Sequence, residues 1–225
     1  KIEGQSSIKI TSPKITSDPA EVNSADLWII AVKSYDTKSV IKRIAPHVSS
    51  KSYVMSLQNG VGNVEILCEQ FGTQKALIGV TNMGATIISE GVVSHKGEGE
   101  TIVGRLDGQL SVELKDLREL FQKSKMQIKL SKDIQAVIWS KLVINVGINA
   151  ISALTRLTNG RITEFEGTRR IFKDAITEAI KVAKRKRIKL LYDDPVSKAE
   201  SVCEATSENI SSMLSDVLRK KRTEI

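Results

Sequence analysis

The run Leu27-Trp28-Ile29-Ile30-Ala31-Val32, followed at once by Lys33-Ser34-Tyr35-Asp36, decides how the first half of the chain reads. Six apolar residues bounded by polar ones are too short for a helix and match a strand buried on both faces. Working outward, residues 37–44 are amphipathic and stop near Pro46, which predicts a helix. Residues 53–57 (YVMSL) predict a second buried strand, 63–71 (NVEILCEQF) a second helix and 76–80 a third strand. Strands alternating with helices imply right-handed crossovers and a mostly parallel sheet. The texture then changes: 84–88, 92–96 and 101–105 are short and separated by Gly/Glu turns, as in antiparallel hairpins. A charged helix over 110–125 and a last strand over 127–130 complete this half.

From Ser131 the chain reads as all-helical, which puts a domain boundary near residue 130. Ser131 is the expected N-cap of a long helix with Asp133 in its first turn. Residues 165–189 repeat apolar positions at the helical period through Ile171, Ala175 and Ala179. Asp193-Asp194 reads as a turn and helix N-terminus, and Pro195 starts a helix expected to run through Val202, Cys203 and Ile210.

The 225 residues are 40% hydrophobic and 27% charged, as in an ordinary globular protein, and only 4% aromatic, so Ile, Val, Leu and Ala must build the core. The longest apolar runs, such as 27–32, fall short of a membrane span, and residues 1–7 lack the apolar centre of a signal peptide. Two cysteines, Cys68 and Cys203, make neither a disulfide framework nor a zinc pattern, and a reducing cytoplasm is the expectation. The net charge of +8 gathers in 181–189 and 219–222. Without a nucleic-acid-binding motif these runs read as solvated helix faces and basic helix ends rather than a phosphate-binding surface.

Chemistry concentrates in three places. Ligands of an open parallel sheet bind beyond the carboxyl ends of its strands, where Lys33-Ser34-Tyr35-Asp36 and Gln58-Asn59-Gly60-Val61-Gly62 fall. A Gly-x-Gly after a strand is also an ordinary turn, so each signal is weak alone. The stronger one is Lys141, Asn145 and Asn149, at i, i+4 and i+8 in the otherwise apolar run 138–150. In a helix they form one stripe. It lines a cleft, or else faces water while the other side packs. Third, residues 207–214 hold a Ser-Ser pair typical of a helix interruption or cap. On one straight helix Ser212 and Glu224 would lie roughly 18 Å apart at ~1.5 Å per residue. A shared site therefore demands a bend, with Thr223 capping the next helix.

Taken together, A-V-K-S-Y at 31–35, Q-N-G-V-G at 58–62, G-V-T-N-M-G-A at 79–85, W-S-K-L-V-I-N-V-G-I-N at 139–149, E-N-I-S-S-M-L-S-D at 208–216 and R-T-E-I at 222–225 resemble the ketopantoate reductases, of the 6-phosphogluconate-dehydrogenase-like group. The resemblance implies an α/β fold: a Rossmann-like, mostly parallel sheet domain over 1–130, incomplete at its N-terminus, and an all-α substrate and catalytic domain over 131–225. It implies NADPH-dependent reduction of ketopantoate to pantoate for coenzyme A synthesis, with NAD as the other conceivable cofactor and no metal. By resemblance Lys141 is the general acid, and Asn145 and Asn149 orient the substrate. Ser212, with Asn209 nearby, binds the substrate carboxylate. Lys33, Asn59, Ala85 and Glu224 belong to the cofactor side. Asn59 also meets the substrate, and Glu224 accepts a hydrogen bond from a substrate hydroxyl and helps set the lysine's charge. The site would lie between the domains, and the helical domain would carry a homodimer contact.

The family's G-x-G-x-x-G phosphate loop has no match here, nor has the region beyond the T-E-I motif. The chain is therefore expected to be an incomplete member and a poor dinucleotide binder. The alternatives are a related hydroxyacid or opine-type dehydrogenase, or a non-catalytic, nucleic-acid-binding remnant of the fold. The 208–213 cluster argues against the first, and the missing phosphate loop and basic runs are what favour the second.

Overall fold

The computed structural model describes residues 1–4, 9–22 and 24–225, so part of the opening stretch, Gln5-Ser6-Ser7, lies outside the described residues. After a short strand β1 (Ile2–Gly4), the apolar run at 27–32 forms β2 (Leu27–Ile30). Next come α1 (Thr37–Ile44), β3 (Tyr53–Ser56), α2 (Asn63–Phe71) and β4 (Ala76–Thr81). Both helices have the expected ends, for visible reasons. Pro46 turns the chain after α1. Gly62 and Gly72 flank α2 with φ of +92° and +82°, and the Gly72 N–H closes the helix on the Cys68 carbonyl at 2.9 Å.

β2, β3 and β4 are parallel, with Leu27 opposite Tyr53 and Val54 opposite Ala76. Successive side chains go to opposite faces. Ile30, Val54 and Ala76 pack with Ile41, Ile44 and Leu67 under α1 and α2. Met55 and Leu77 pack on the other face with Leu114 and Leu117 of α3 (Val112–Lys123). One expectation is corrected: β2 is the edge of its sheet, and Ile29 is 46% exposed rather than buried on both sides.

The hairpin strands split between two sheets. β5 (Gly84–Ser89) and β6 (Val92–Gly97) pair antiparallel, and β1 joins β6 in a separate three-stranded sheet. β7 (Thr101–Gly104) instead enters the main sheet antiparallel to β4, with β8 (Ile128–Ser131) parallel to β7 beyond it. Ser131 is thus the last residue of β8 rather than a helix cap, although its Oγ accepts the Asp133 N–H at 3.1 Å.

Chain contacts divide the protein into two compact units. One comprises residues 1–58 and 62–134, the other 59–61 and 135–225. The second is built on α4 (Ile134–Thr155), α5 (Glu166–Arg185), α6 (Pro195–Ala205) and α7 (Ser212–Leu218). α6 starts as expected, with the Asp194 carboxylate accepting the Val196 and Ser197 N–H groups at 3.0 Å, but ends before Ile210. Val143, Ile144 and Ile148 of α4 pack against Phe172 and Ile176 of α5 and Ala199 and Cys203 of α6. α4 is long and apolar enough to cross a membrane, contrary to the expectation that no run approaches that length. Half of its apolar window is buried within the protein.

Gly147 lets α4 and α5 approach. A Cβ there would come within 2.6 Å of Ile176 Cδ1 and 3.0 Å of the Phe172 ring. Gly147→Val is expected to lower stability by about 1–3 kcal/mol through overpacking, read as a lower urea midpoint followed by Trp fluorescence. An unchanged midpoint would show that the two helices separate at no cost.

Candidate functional site

Three candidate residues follow the carboxyl ends of the three parallel strands. Lys33 comes after β2, Asn59 after β3 and Ala85 after β4, on the first residues of β5. Parallel pairing puts those ends on one edge of the sheet. Lys33 is half-buried, whereas Asn59 and Ala85 are exposed. Gly60 and Gly62 bend the loop with φ of +86° and +92°, and a Cβ on either would meet nothing within 4 Å, so this backbone is open to a ligand.

A polar network joins the segments after β2 and β3. The Gln58 amide donates from Nε2 to the Val32 carbonyl at 2.8 Å and to Thr37 Oγ1 at 2.7 Å. Its Oε1 accepts from Ser56 Oγ at 3.1 Å. Thr37 in turn donates to Asn63 Oδ1 at 3.0 Å, and Asn63 Nδ2 donates to Ser34 Oγ at 3.3 Å. Thr37 and Asn63 are the first residues of α1 and α2, and both are buried. Gln58 opens the Q-N-G-V-G motif, yet the sequence alone gives it, Thr37 and Asn63 no role. Apart from Ser56, two residues before Gln58, their partners are 21 to 29 residues away, so no local spacing signals them.

In the helical unit, α4 carries Lys141, Asn145 and Asn149 on one stripe, each half-buried, beside the fully packed Val143 and Ile144. Removal from water is what acts on Lys141: burial lowers its ammonium from 10.5 to about 8. The segment bearing Asn209 and Ser212 is tied to the same helix and its following turn. Ser211, buried, caps α7 by accepting the Leu214 N–H at 3.0 Å, and its Oγ reaches the Asn149 carbonyl at 3.5 Å. The Asn159 N–H donates to the Asn209 carbonyl at 2.9 Å, and the Gly160 N–H to that of Ser207 at 3.2 Å. A Cβ on Gly160 would fall 2.6 Å from Ser207 Cβ, so the two segments lie in direct contact. Ser212, the first residue of α7, is exposed, and so is Asn209.

The helical unit thus gathers Lys141, Asn145 and Asn149 on one helix, with Asn209 and Ser212 on a segment fastened to it. Glu224 is exposed and follows the end of α7 at Leu218, so Ser212 and Glu224 do not lie on one straight helix. A cavity of about 330 Å³ lies elsewhere, at the amino ends of β2–β4, lined by Leu27, Tyr53, Leu77, Glu113 and Leu117 among others. It contains none of the candidate residues. Among the described residues no group of three or more His, Cys, Asp or Glu side chains is arranged to hold a metal ion.

Comparison with known proteins gives this geometry a family. The description "Ketopantoate reductase PanE/ApbA" matches residues 1–108, and "Ketopantoate reductase PanE/ApbA C terminal" matches residues 133–225. The 2-dehydropantoate 2-reductase of Halobacterium salinarum is 33% identical over 224 residues, covering 100% of this chain and 73% of its own length. A crystal structure of a PanE/ApbA family ketopantoate reductase from Ralstonia eutropha superposes with a TM-score of 0.90 at 30% identity, over 99% of this chain and 72% of that one. D-mandelate dehydrogenase, solved with NADH and anilino(oxo)acetate, shares the fold at a TM-score of 0.82 and 21% identity, over 89% of this chain and 66% of that one. With both family descriptions matching in chain order and a relative of this identity matched over most of its length, the chain belongs to the ketopantoate reductase family.

Proposed function

We propose that this chain reduces the C2 ketone of 2-dehydropantoate to pantoate with NADPH as the reductant. The observation that carries the reading is the α4 stripe: a half-buried lysine, brought down to about 8 by burial, with two amides on the same helical face. The residue types suit the reaction. As a ketone carbon gains hydride, its oxygen gains negative charge and needs a proton, which an ammonium supplies. An acid near 8 is protonated at neutral pH yet gives up its proton far more readily than an ordinary lysine. Asn145 and Asn149 each offer a donor and an acceptor, enough to orient the substrate hydroxyl and carbonyl. Ser212 and Asn209 supply hydroxyl and amide donors for the carboxylate.

The nicotinamide, when bound, supplies the hydride. The residues that would hold it are Lys33, Asn59, Ala85 and Glu224. The open backbone at Gly60 and Gly62 fits close approach of a ligand at the edge carrying the first three. No G-x-G-x-x-G motif occurs in the chain, so no residue is assigned to the pyrophosphate. Two free thiols, the half-buried Cys68 and the buried Cys203, suit a reducing compartment such as the cytoplasm.

The test is nicotinamide oxidation with ketopantoate, run beside other 2-keto acids. Lys141→Ala is expected to lower kcat by about 10²–10⁴-fold. Lys141→Arg is expected to lose nearly as much, because arginine keeps the charge but does not release a proton. Turnover of another keto acid but not of ketopantoate would refute the substrate. Full activity in Lys141→Ala would refute the acid.

The pH dependence carries a definite sign. Because the group donates a proton, kcat/KM for reduction is expected to be level below about pH 8 and to fall as pH rises through that value. A profile level to pH 10 would show that this ammonium is not the titrating acid.

A further inference from the structure

We infer that Gln58 is a positioning residue of the cofactor side, holding the segment that leads into Lys33 against the end of β3, next to Asn59 in sequence, without touching the reacting atoms. This rests on the reading that those two residues serve the nicotinamide. Gln58 immediately precedes Asn59, and the Val32 carbonyl it binds at 2.8 Å belongs to the peptide that leads into Lys33. One side chain thus pins the backbone entering both positions.

The amide is matched to its surroundings on every side. Both Nε2 hydrogens are used, on Val32 at 2.8 Å and Thr37 at 2.7 Å, and Oε1 accepts from Ser56 at 3.1 Å. The Gln58 N–H also donates to Ser56 Oγ at 3.2 Å, which fixes the direction in which the side chain leaves the strand. Thr37 must accept from Gln58, because its own proton goes to Asn63 Oδ1. The amide of Asn63 then reaches Ser34, so the side-chain bonds that link Ser56, Gln58, Thr37, Asn63 and Ser34 all run in one direction. A carboxylate in place of the Gln58 amide has no donor and would set negative charge against the Val32 carbonyl. Val at position 37 would remove both the bond from Gln58 Nε2 and the bond to Asn63 Oδ1, whereas Ser would keep both.

Positioning and plain stability separate in the experiment. The intact wild-type protein and its Gln58→Glu, Thr37→Val and Thr37→Ser variants are compared by NADPH fluorescence titration and by steady-state kinetics with ketopantoate. Each is first checked for folding by circular dichroism and urea midpoint. Gln58→Glu and Thr37→Val are expected to raise the Kd and KM for NADPH by about tenfold or more. Their KM for ketopantoate at saturating cofactor moves by less than that for NADPH, and the shape of the pH profile set by Lys141 stays as in wild type. Thr37→Ser is expected to remain within about twofold of wild type throughout.

The inference is overturned if folded Gln58→Glu binds NADPH like wild type. It is equally overturned if only the ketopantoate KM moves, or if Thr37→Ser is as impaired as Thr37→Val. If Gln58→Glu does not fold, Thr37→Val against Thr37→Ser decides alone. Wild type that binds NADPH but does not turn over ketopantoate would remove the substrate reading and leave the titration to judge Gln58.

Discussion

The seam between α4 and α5 governs where chemistry can occur in the helical unit. α4 must bury Val143, Ile144, Ile148 and Ile151 against Phe172, Ile176, Ala199 and Cys203. Gly147 removes the side chain that would hold the helices apart. With that side of the helix committed, the 3.6-residue repeat leaves Lys141, Asn145 and Asn149 together on another side, outside the core yet screened enough to be half-buried. Screening is what changes the chemistry of Lys141. An ammonium drawn partly out of water loses hydration, and its proton becomes easier to release. Packing and acidity are two consequences of one arrangement.

The sheet unit supplies the complementary device. Parallel pairing of β2, β3 and β4 delivers three loops to one edge, and side chains rather than strands set the spacing of the first two. Thr37 and Asn63, at the first turns of α1 and α2, are buried and bonded to each other, so the helices enter the sheet face in register with the loops before them. The fold thereby combines a rigid base with loops whose glycines remain accessible.

Much of this is legible in the residues, for physical reasons that differ by element. α1 and α2 have readable ends because proline and glycine act locally. That Ser212 and Glu224 cannot share a site along one straight helix follows from helix length, and α7 does end between them, at Leu218. Ser131 misleads because a serine serves equally well at the end of a strand. Ile210 misleads because the apolar pattern continues past Thr206, where the helix ends; there Thr206 Oγ1 bonds back to the Val202 carbonyl at 2.7 Å. The edge position of β2 and the entry of β7 into the main sheet depend on pairings across the chain, which local patterning does not carry. The Lys141 stripe is visible as a spacing. The Gln58 network is not, since its bonds to Val32 and among Thr37, Asn63 and Ser34 join positions that only the folded sheet brings together.

The most direct measurement is an NMR titration of the Lys141 side chain, observed through its Cε and Nζ resonances and assigned by comparison with Lys141→Arg. A midpoint near 8 is expected, because burial of the α4 stripe is what makes this lysine a usable acid. A midpoint at the ordinary lysine value of about 10.4 would contradict the account, because burial would then not make this ammonium an easier proton donor.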